Sequence, residues 1–262
     1  MDRKKLYRSI TSNPMLPIRD DNPQLNKPLA TYTIIGLNVL AWVFLQGLGS
    51  TEPLNVSICQ FGMIPADLFS DPIGGVRGCP SSQGWLGLFS SMFMHGGWMH
   101  LLGNMWFLWI FGGNVEDSMG SIRFAIFYLL SGLVATATQI GSDPSSTIPI
   151  VGASGAIGGI MGAYIMLFPR VRVHIFVFIF IFKIPAVAML GYWAAIQLVG
   201  GLTASDGSGG VAFWAHIGGF AAGLILVHIF KDEELLLNHP FHGWSKTENV
   251  ANIWDNPSNR QD

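Results

Sequence analysis

Long apolar stretches with almost no charged side chains divide this sequence. Half of its 262 residues are hydrophobic and only 11% are charged. A helix that crosses a bilayer needs about 20 mostly apolar residues. Six stretches come close to that length, and we predict them as spans: Thr31 to Leu48, Gly97 to Gly112, Arg123 to Ile140, Ser154 to Phe168, Ile184 to Gly201, and Val211 to Phe230. The pattern therefore predicts an all-α membrane protein built as a six-helix bundle.

The distribution of Lys and Arg predicts the orientation of these spans. If both ends of the chain face the cytoplasm, every Lys and Arg except Arg77 lies on the cytoplasmic side. Basic connections favour that side of a membrane. We therefore expect a multi-pass protein with a cytoplasmic N-terminal arm (residues 1–30), a membrane domain (31–230) and a cytoplasmic C-terminal tail (231–262).

Two connections have features of their own. The first outer loop, about Gly49 to Gly84, is long, and we expect it to pack on the membrane surface as short helices. Cys59 and Cys79 both lie in it, and the sequence leaves open whether they form a disulfide or stay separate thiols. The stretch Val173 to Phe182 is apolar but too short to span, so we expect it to lie at the membrane interface.

Charge excludes one class of partner. The net charge is −2, and Lys and Arg do not cluster beyond the short N-terminal arm. Proteins that bind nucleic acid depend on such clusters to neutralise phosphates. We therefore expect the lipid bilayer to surround this chain and no nucleic acid to bind it.

Five polar side chains fall in or just before three of the predicted spans. They are His95, His100, Asn104, Ser154 and His216. The second, fourth and sixth spans run in the same direction, so these side chains should meet at one depth in the outer part of the bilayer. Polar residues are costly in hydrocarbon, and their presence there indicates function.

The residue types in this set are those that enzymes use to catalyse acyl transfer. A serine hydroxyl becomes nucleophilic when a base takes its proton, and His216 is the base candidate for Ser154. The oxyanion could be stabilised by the backbone N–H of Ser154 and by the side chains of His100 and Asn104. No Asp or Glu lies inside a predicted span, so we expect a Ser-His dyad and not a triad.

Each residue also has a purely structural interpretation. Ser154 could be a packing serine among glycines, and His216 or Asn104 could bond a neighbouring helix. His95 could be an interfacial residue, and we regard it only as a possible accessory to the site. A metal site of His95, His100 and His216 would lack the HExxH pattern and any intramembrane carboxylate, so we expect no metal.

Four motifs together resemble the rhomboid family of intramembrane serine proteases. His95 to Asn104 (HGGWMHLLGN) is similar to the family's histidine and asparagine motif, and Gly113 to Gly120 (GNVEDSMG) to the segment that follows it. Gly152 to Gly155 (GASG) resembles the nucleophile motif, and Ala215 to Gly219 (AHIGG) the motif of the base. The resemblance covers about Pro28 to Phe230 in matching order.

This resemblance implies a rhomboid-like six-helix bundle that hydrolyses peptide bonds in or next to transmembrane segments of other proteins, without metal or cofactor. Ser154 would be the nucleophile and His216 the base, with His100 and Asn104 in the oxyanion hole. Glu116 would have a structural role. The site would open to the outer side. The alternative is a catalytically silent relative that binds transmembrane helices.

One position departs from the pattern of that family. Some members carry a tyrosine one turn after the serine, where it packs on the base. Gly158 occupies that position here. We therefore expect other contacts to hold His216.

Overall fold

A computed structural model describes residues 16–69, 79, 84–203, 211–237, 239 and 241 of the chain. Helices make up most of these residues, and a small sheet joins them. In chain order the elements are β1 (Leu16–Asp20), α1 (Leu29–Phe44), α2 (Thr51–Phe61), α3 (Ala66–Phe69), α4 (Gly87–Ser90), α5 (Trp98–Asp117), α6 (Ser121–Ser142), α7 (Ser154–Leu167), β2 (Arg172–Val177), β3 (Phe180–Pro185), α8 (Ala186–Thr203), α9 (Phe213–Phe230) and α10 (Glu233–Leu237).

A helix lies on each of the six segments that the hydropathy pattern singles out. Of the described helices, α6, α8 and α9 are long and apolar enough to cross a membrane, while α1 and α7 are apolar but shorter. Helix α5 continues to Asp117, five residues beyond the predicted end, into a polar and buried segment. The fold is therefore mainly helical, with a substantial part suited to a bilayer.

Helix α7 lies at the centre of the bundle, in contact with α5, α6 and α9. Nearly all of its residues are buried, although it is rich in glycine. A Cβ added at Gly219 of α9 would lie 1.9 Å from the carbonyl oxygen of Gly155, and one at Gly223 would lie 1.9 Å from that of Gly159. The two backbones are thus in direct contact, which small residues allow between helices in a membrane.

The expectation of an all-α protein is wrong in one respect, because the described residues include a three-stranded antiparallel sheet in the order β1-β2-β3. Strands β2 and β3 form a hairpin in the segment expected to lie at the interface. Val173, His174 and Ile175 are all buried, and Phe178 has a φ of +56° between the strands. Val173, Ile175 and Val177 place a β-branched residue at every second position of β2, which favours a strand.

The sheet also connects residues 16–20 to the helices. Asp20 at the end of β1 accepts hydrogen bonds from Asn114 of α5, at 2.9 Å, and from the hydroxyl of Tyr164 of α7. Burial raises the pKa of the Asp20 carboxyl to about 6, and these hydrogen bonds only partly offset the effect of burial. Residues 16–20 are therefore bonded to the helices, and residues 1–15 lie outside the described part.

A second carboxylate, Glu116, joins the end of α5 to the starts of α1 and α6. Glu116 near the end of α5 accepts hydrogen bonds from the backbone N–H groups of Ala30 and Thr31, at 2.9 and 2.8 Å, and from the Thr31 hydroxyl at 2.8 Å. It also accepts one from Ser121 at the start of α6. Glu116 thus caps the N-terminus of α1. Its negative charge also interacts favourably with the positive end of the α1 helix dipole.

The long connection between α1 and α5 is folded against the bundle. Helices α2 and α3 and the short α4 lie in it, and Cys59 and Cys79 form a disulfide. Met63 and Ile150 exchange both backbone hydrogen bonds, at 3.0 and 2.8 Å. This bridge fixes the chain just before Gly152, where the Ser154 motif begins.

Candidate active site

Ser154 and His216 are in direct contact across the α7–α9 interface. Ser154 is the first residue of α7, and His216 lies in the first turn of α9. The Ser154 Oγ is 2.7 Å from the His216 Nε2, and both residues are half-buried. That distance is short enough for the imidazole to accept the hydroxyl proton.

Gly158 is required by the same close packing. A Cβ at this position would lie 2.9 Å from the backbone oxygen of His216. The backbone of α9 therefore occupies the space that a larger side chain, such as the tyrosine of some rhomboid proteases, would need.

Two residues of α8 hold the imidazole in place of such a tyrosine. The Nδ1 of His216 is 2.8 Å from the amide oxygen of Gln197. The ring of Trp193, one turn earlier, lies 5.7 Å from the imidazole centre. Sequence reasoning missed Gln197, although a lone amide inside an apolar span is itself a signal, since a buried amide is costly without a partner.

His100 lies beside the backbone that leads into Ser154. Its Nδ1 accepts a hydrogen bond from the backbone N–H of Gly96 at 3.2 Å, so the neutral ring carries its proton on Nε2. That Nε2 lies 2.6 Å from the place where a Cβ of residue 152 would be. Gly152 has a φ of +121°, so glycine is needed there both for the backbone conformation and for the space that His100 fills.

Asn104 lies one helical turn after His100 on the same face of α5. Its Nδ2 is 3.6 Å from the same hypothetical Cβ of residue 152. This amide nitrogen is buried and has no hydrogen-bond partner among the described residues. A buried donor without a partner is costly, and it is what an oxyanion hole requires before a charge develops.

The ring of His95 is in contact with the ring of His100. The two imidazole centres are 5.1 Å apart, edge to face. The backbone of His95 bonds both ends of the buried Gln46 amide, at 2.7 and 2.9 Å. Because its ring packs against the ring of His100, His95 is placed to support the position of His100.

The described part of the chain has no group of three His, Cys, Asp or Glu side chains arranged to hold a metal ion. A small pocket lies next to Ser154, and its walls are mainly small or apolar residues, including Met92, Ala135, Val151 and Ala156. The arrangement thus combines a hydrogen-bonded serine and histidine, two directed donors, and an adjoining space of limited size.

The sequence of this chain is similar to those of rhomboid proteins. A family model described as the Rhomboid domain matches residues 82–233. RHOMBOID-like protein 4 of Arabidopsis thaliana is 32% identical over 191 residues, which is 71% of this chain and 43% of that protein. The Rhomboid protease GluP of Bacillus subtilis (strain 168) is 31% identical over 206 residues, which is 76% of this chain and 34% of that protein.

A third relative is RHOMBOID-like protein 6, mitochondrial, of Arabidopsis thaliana, which is 33% identical over 167 residues. The match covers 63% of this chain and 48% of that protein. The chain thus spans about half the length of these relatives, or less. The family match includes all four of the motifs around His100, Glu116, Ser154 and His216.

Proposed function

The chain belongs to the rhomboid family, and we propose that it is an intramembrane serine endopeptidase that uses Ser154 as nucleophile and His216 as base. The observation that supports this most is the 2.7 Å contact between the Ser154 Oγ and the His216 Nε2. It joins two helices whose backbones touch, so the pair is held by the bundle and not by flexible loops.

The reaction follows from the two protonation states of the histidine. As the Ser154 oxygen attacks a peptide carbonyl, the His216 Nε2 takes the hydroxyl proton and later gives it to the leaving amine. An acyl-enzyme remains. Water then attacks this ester, with His216 again taking a proton, and releases the acid product and Ser154.

The negative charge on the tetrahedral intermediate requires donors that are already in position. The Nε2–H of His100, the Nδ2 of Asn104 and the backbone N–H of Ser154 are suited to this role. Each such donor typically contributes about a hundred- to a thousand-fold in rate. No cofactor or metal enters this mechanism.

The substrates we propose are transmembrane segments of other membrane proteins. In this proposal α1, α5, α6, α7, α8 and α9 are six spans, both ends of the chain are cytoplasmic, and the site opens to the outer side. The distribution of Lys and Arg supports this orientation. A substrate helix must unwind near the site, because a helical carbonyl is already hydrogen-bonded and shielded. The small pocket next to Ser154 favours a small side chain at the cleaved bond.

The test is cleavage of a model single-span substrate by purified protein in liposomes. We expect Ser154→Ala and His216→Ala each to lower the rate at least about 10⁴-fold, since the serine and its base act as a unit. Ser142→Ala and His228→Ala are matched controls on exposed surfaces of α6 and α9 and should keep full activity.

Labelling with a serine-reactive phosphonate separates an enzyme from a silent helix-binding relative. The folded wild-type protein should be labelled at Ser154, and the label should depend on His216. A folded protein that binds the substrate but is neither labelled nor able to cleave it would refute the enzymatic proposal.

A further inference from the structure

Helix α8 contributes a polar contact to His216 that the Ser-His pair alone does not explain. Gln197 is buried, and its Oε1 is 2.8 Å from the His216 Nδ1. The Nε2 on the opposite side of the same ring is 2.7 Å from the Ser154 Oγ. The imidazole is thus held between two hydrogen-bonding groups from two other helices.

We propose that Gln197 is a positioning residue, which holds His216 in the tautomer with its proton on Nδ1 so that Nε2 can accept the Ser154 proton. This inference rests on the proposed function. It extends the expected Ser-His dyad to three hydrogen-bonded residues. The neutral amide of Gln197 takes the position that the aspartate carboxylate has in a Ser-His-Asp triad.

The tautomer decides whether His216 can act. A neutral imidazole carries one proton, and only the Nδ1–H form leaves a lone pair on Nε2. An amide oxygen accepts hydrogen bonds, so the Gln197 Oε1 favours that form. If the amide were turned so that its NH₂ group faced His216, the proton would move to Nε2, and that atom could no longer take the Ser154 proton.

His100 shows the opposite arrangement. Its Nδ1 faces a donor, the backbone N–H of Gly96, at 3.2 Å, so its proton belongs on Nε2. The proposed chemistry needs one histidine as base and one as donor. What faces each Nδ1, an oxygen for His216 and an N–H for His100, is sufficient to assign these two roles.

A neutral amide suits the position of Gln197. It lies inside an apolar helix in which a carboxylate would have to be buried, and burying a charge costs much more than burying an amide. Trp193 covers the imidazole one turn away on the same helix. Together these contacts orient His216 without placing a charge in the span.

The experiment compares wild-type protein with Gln197→Met and Gln197→Glu in liposomes. The methionine variant keeps the size but replaces the amide oxygen with a thioether, a much weaker acceptor, whereas the glutamate variant keeps both the length and a strong acceptor. We expect Gln197→Met to lower kcat about 100-fold with KM unchanged within about twofold. Gln197→Glu should recover most of that loss, because its carbonyl oxygen can still accept the Nδ1–H of His216 when the buried carboxyl is protonated and carries no charge.

The ¹⁵N NMR spectrum of histidine-labelled protein is a readout that does not depend on activity. The His216 signals, assigned from their absence in His216→Ala, should show a protonated Nδ1 in the wild type and a mixture of tautomers in Gln197→Met. A wild-type His216 protonated on Nε2 would overturn the proposal, and so would a folded Gln197→Met variant with unchanged kcat and tautomer.

Failure of the proposed function would give a different result. In that case the wild type would neither cleave substrate nor react with the phosphonate, while the His216 signals would still show the Nδ1–H form. If Gln197→Met does not fold, the wild-type spectrum still tests the proposal, because a His216 protonated on Nε2 would overturn it.

Discussion

Replacing Gly219 by alanine should separate the nucleophile from its base without changing either residue. The new Cβ would lie 1.9 Å from the Gly155 carbonyl oxygen, whereas ordinary contact begins at 3.4 Å. Helix α9 must therefore retreat by about 1.5 Å. Even half of that movement, taken along the 2.7 Å hydrogen bond between Ser154 and His216, would lengthen it to about 3.5 Å, at the limit for a hydrogen bond.

A displacement of about 1 Å can cost about 100-fold in rate, and overpacking costs about 1–3 kcal/mol of stability. We therefore expect Gly219→Ala to cleave the model substrate about 100-fold more slowly, with a lower melting temperature in detergent. Gly191→Ala is the matched control, because a Cβ there has nothing within 4 Å, and its rate should change less than twofold. A folded Gly219→Ala variant with the wild-type rate would refute this reasoning.

Two further predictions concern Gly152 and Asp20. Gly152→Ala should displace His100 and lower kcat for the same substrate about 100-fold or more. The tautomer of His216 should not change. A variant with the wild-type kcat would exclude His100 as an oxyanion donor. Because the pKa of Asp20 is raised from 3.8 to about 6, the folded state binds its proton more tightly, so the free energy of unfolding should fall as the pH rises from about 4 to about 6. The loss is on the order of 2 kcal/mol, and Asp20→Asn should remove this part of the pH dependence in melts at a series of pH values; identical profiles would contradict the assignment.

The candidate site was largely accessible from the sequence because membrane topology restricts depth. Once Ser154 and His216 are assigned to spans that run in the same direction, their positions near the start of each span bring them to one level. A soluble protein offers no such constraint. The proximity of His100 to Ser154 follows in the same way.

Sequence reasoning missed the partner of His216. Gln197 lies towards the end of α8, so its depth is compatible with a contact, but only the packing of α8 against α9 shows that its amide meets the imidazole. Likewise, the pairing of β1 with β2 joins residues more than 150 positions apart, such as Asp20 and Val173. The β-branched residues at every second position of β2 favour a strand, which we did not predict from the sequence, and nothing local predicts which segment pairs with it.

The contacts of Glu116 have a consequence for the order in which the chain can be assembled. Its donors at Ala30 and Thr31 precede it by 86 and 85 residues. During synthesis the start of α1 is therefore made long before the carboxylate that caps it. If α1 and α5 both span the membrane, as we propose, α1 lacks this cap until α5 has also been inserted, so the cap can fix the start of α1 only after both helices are in the bilayer.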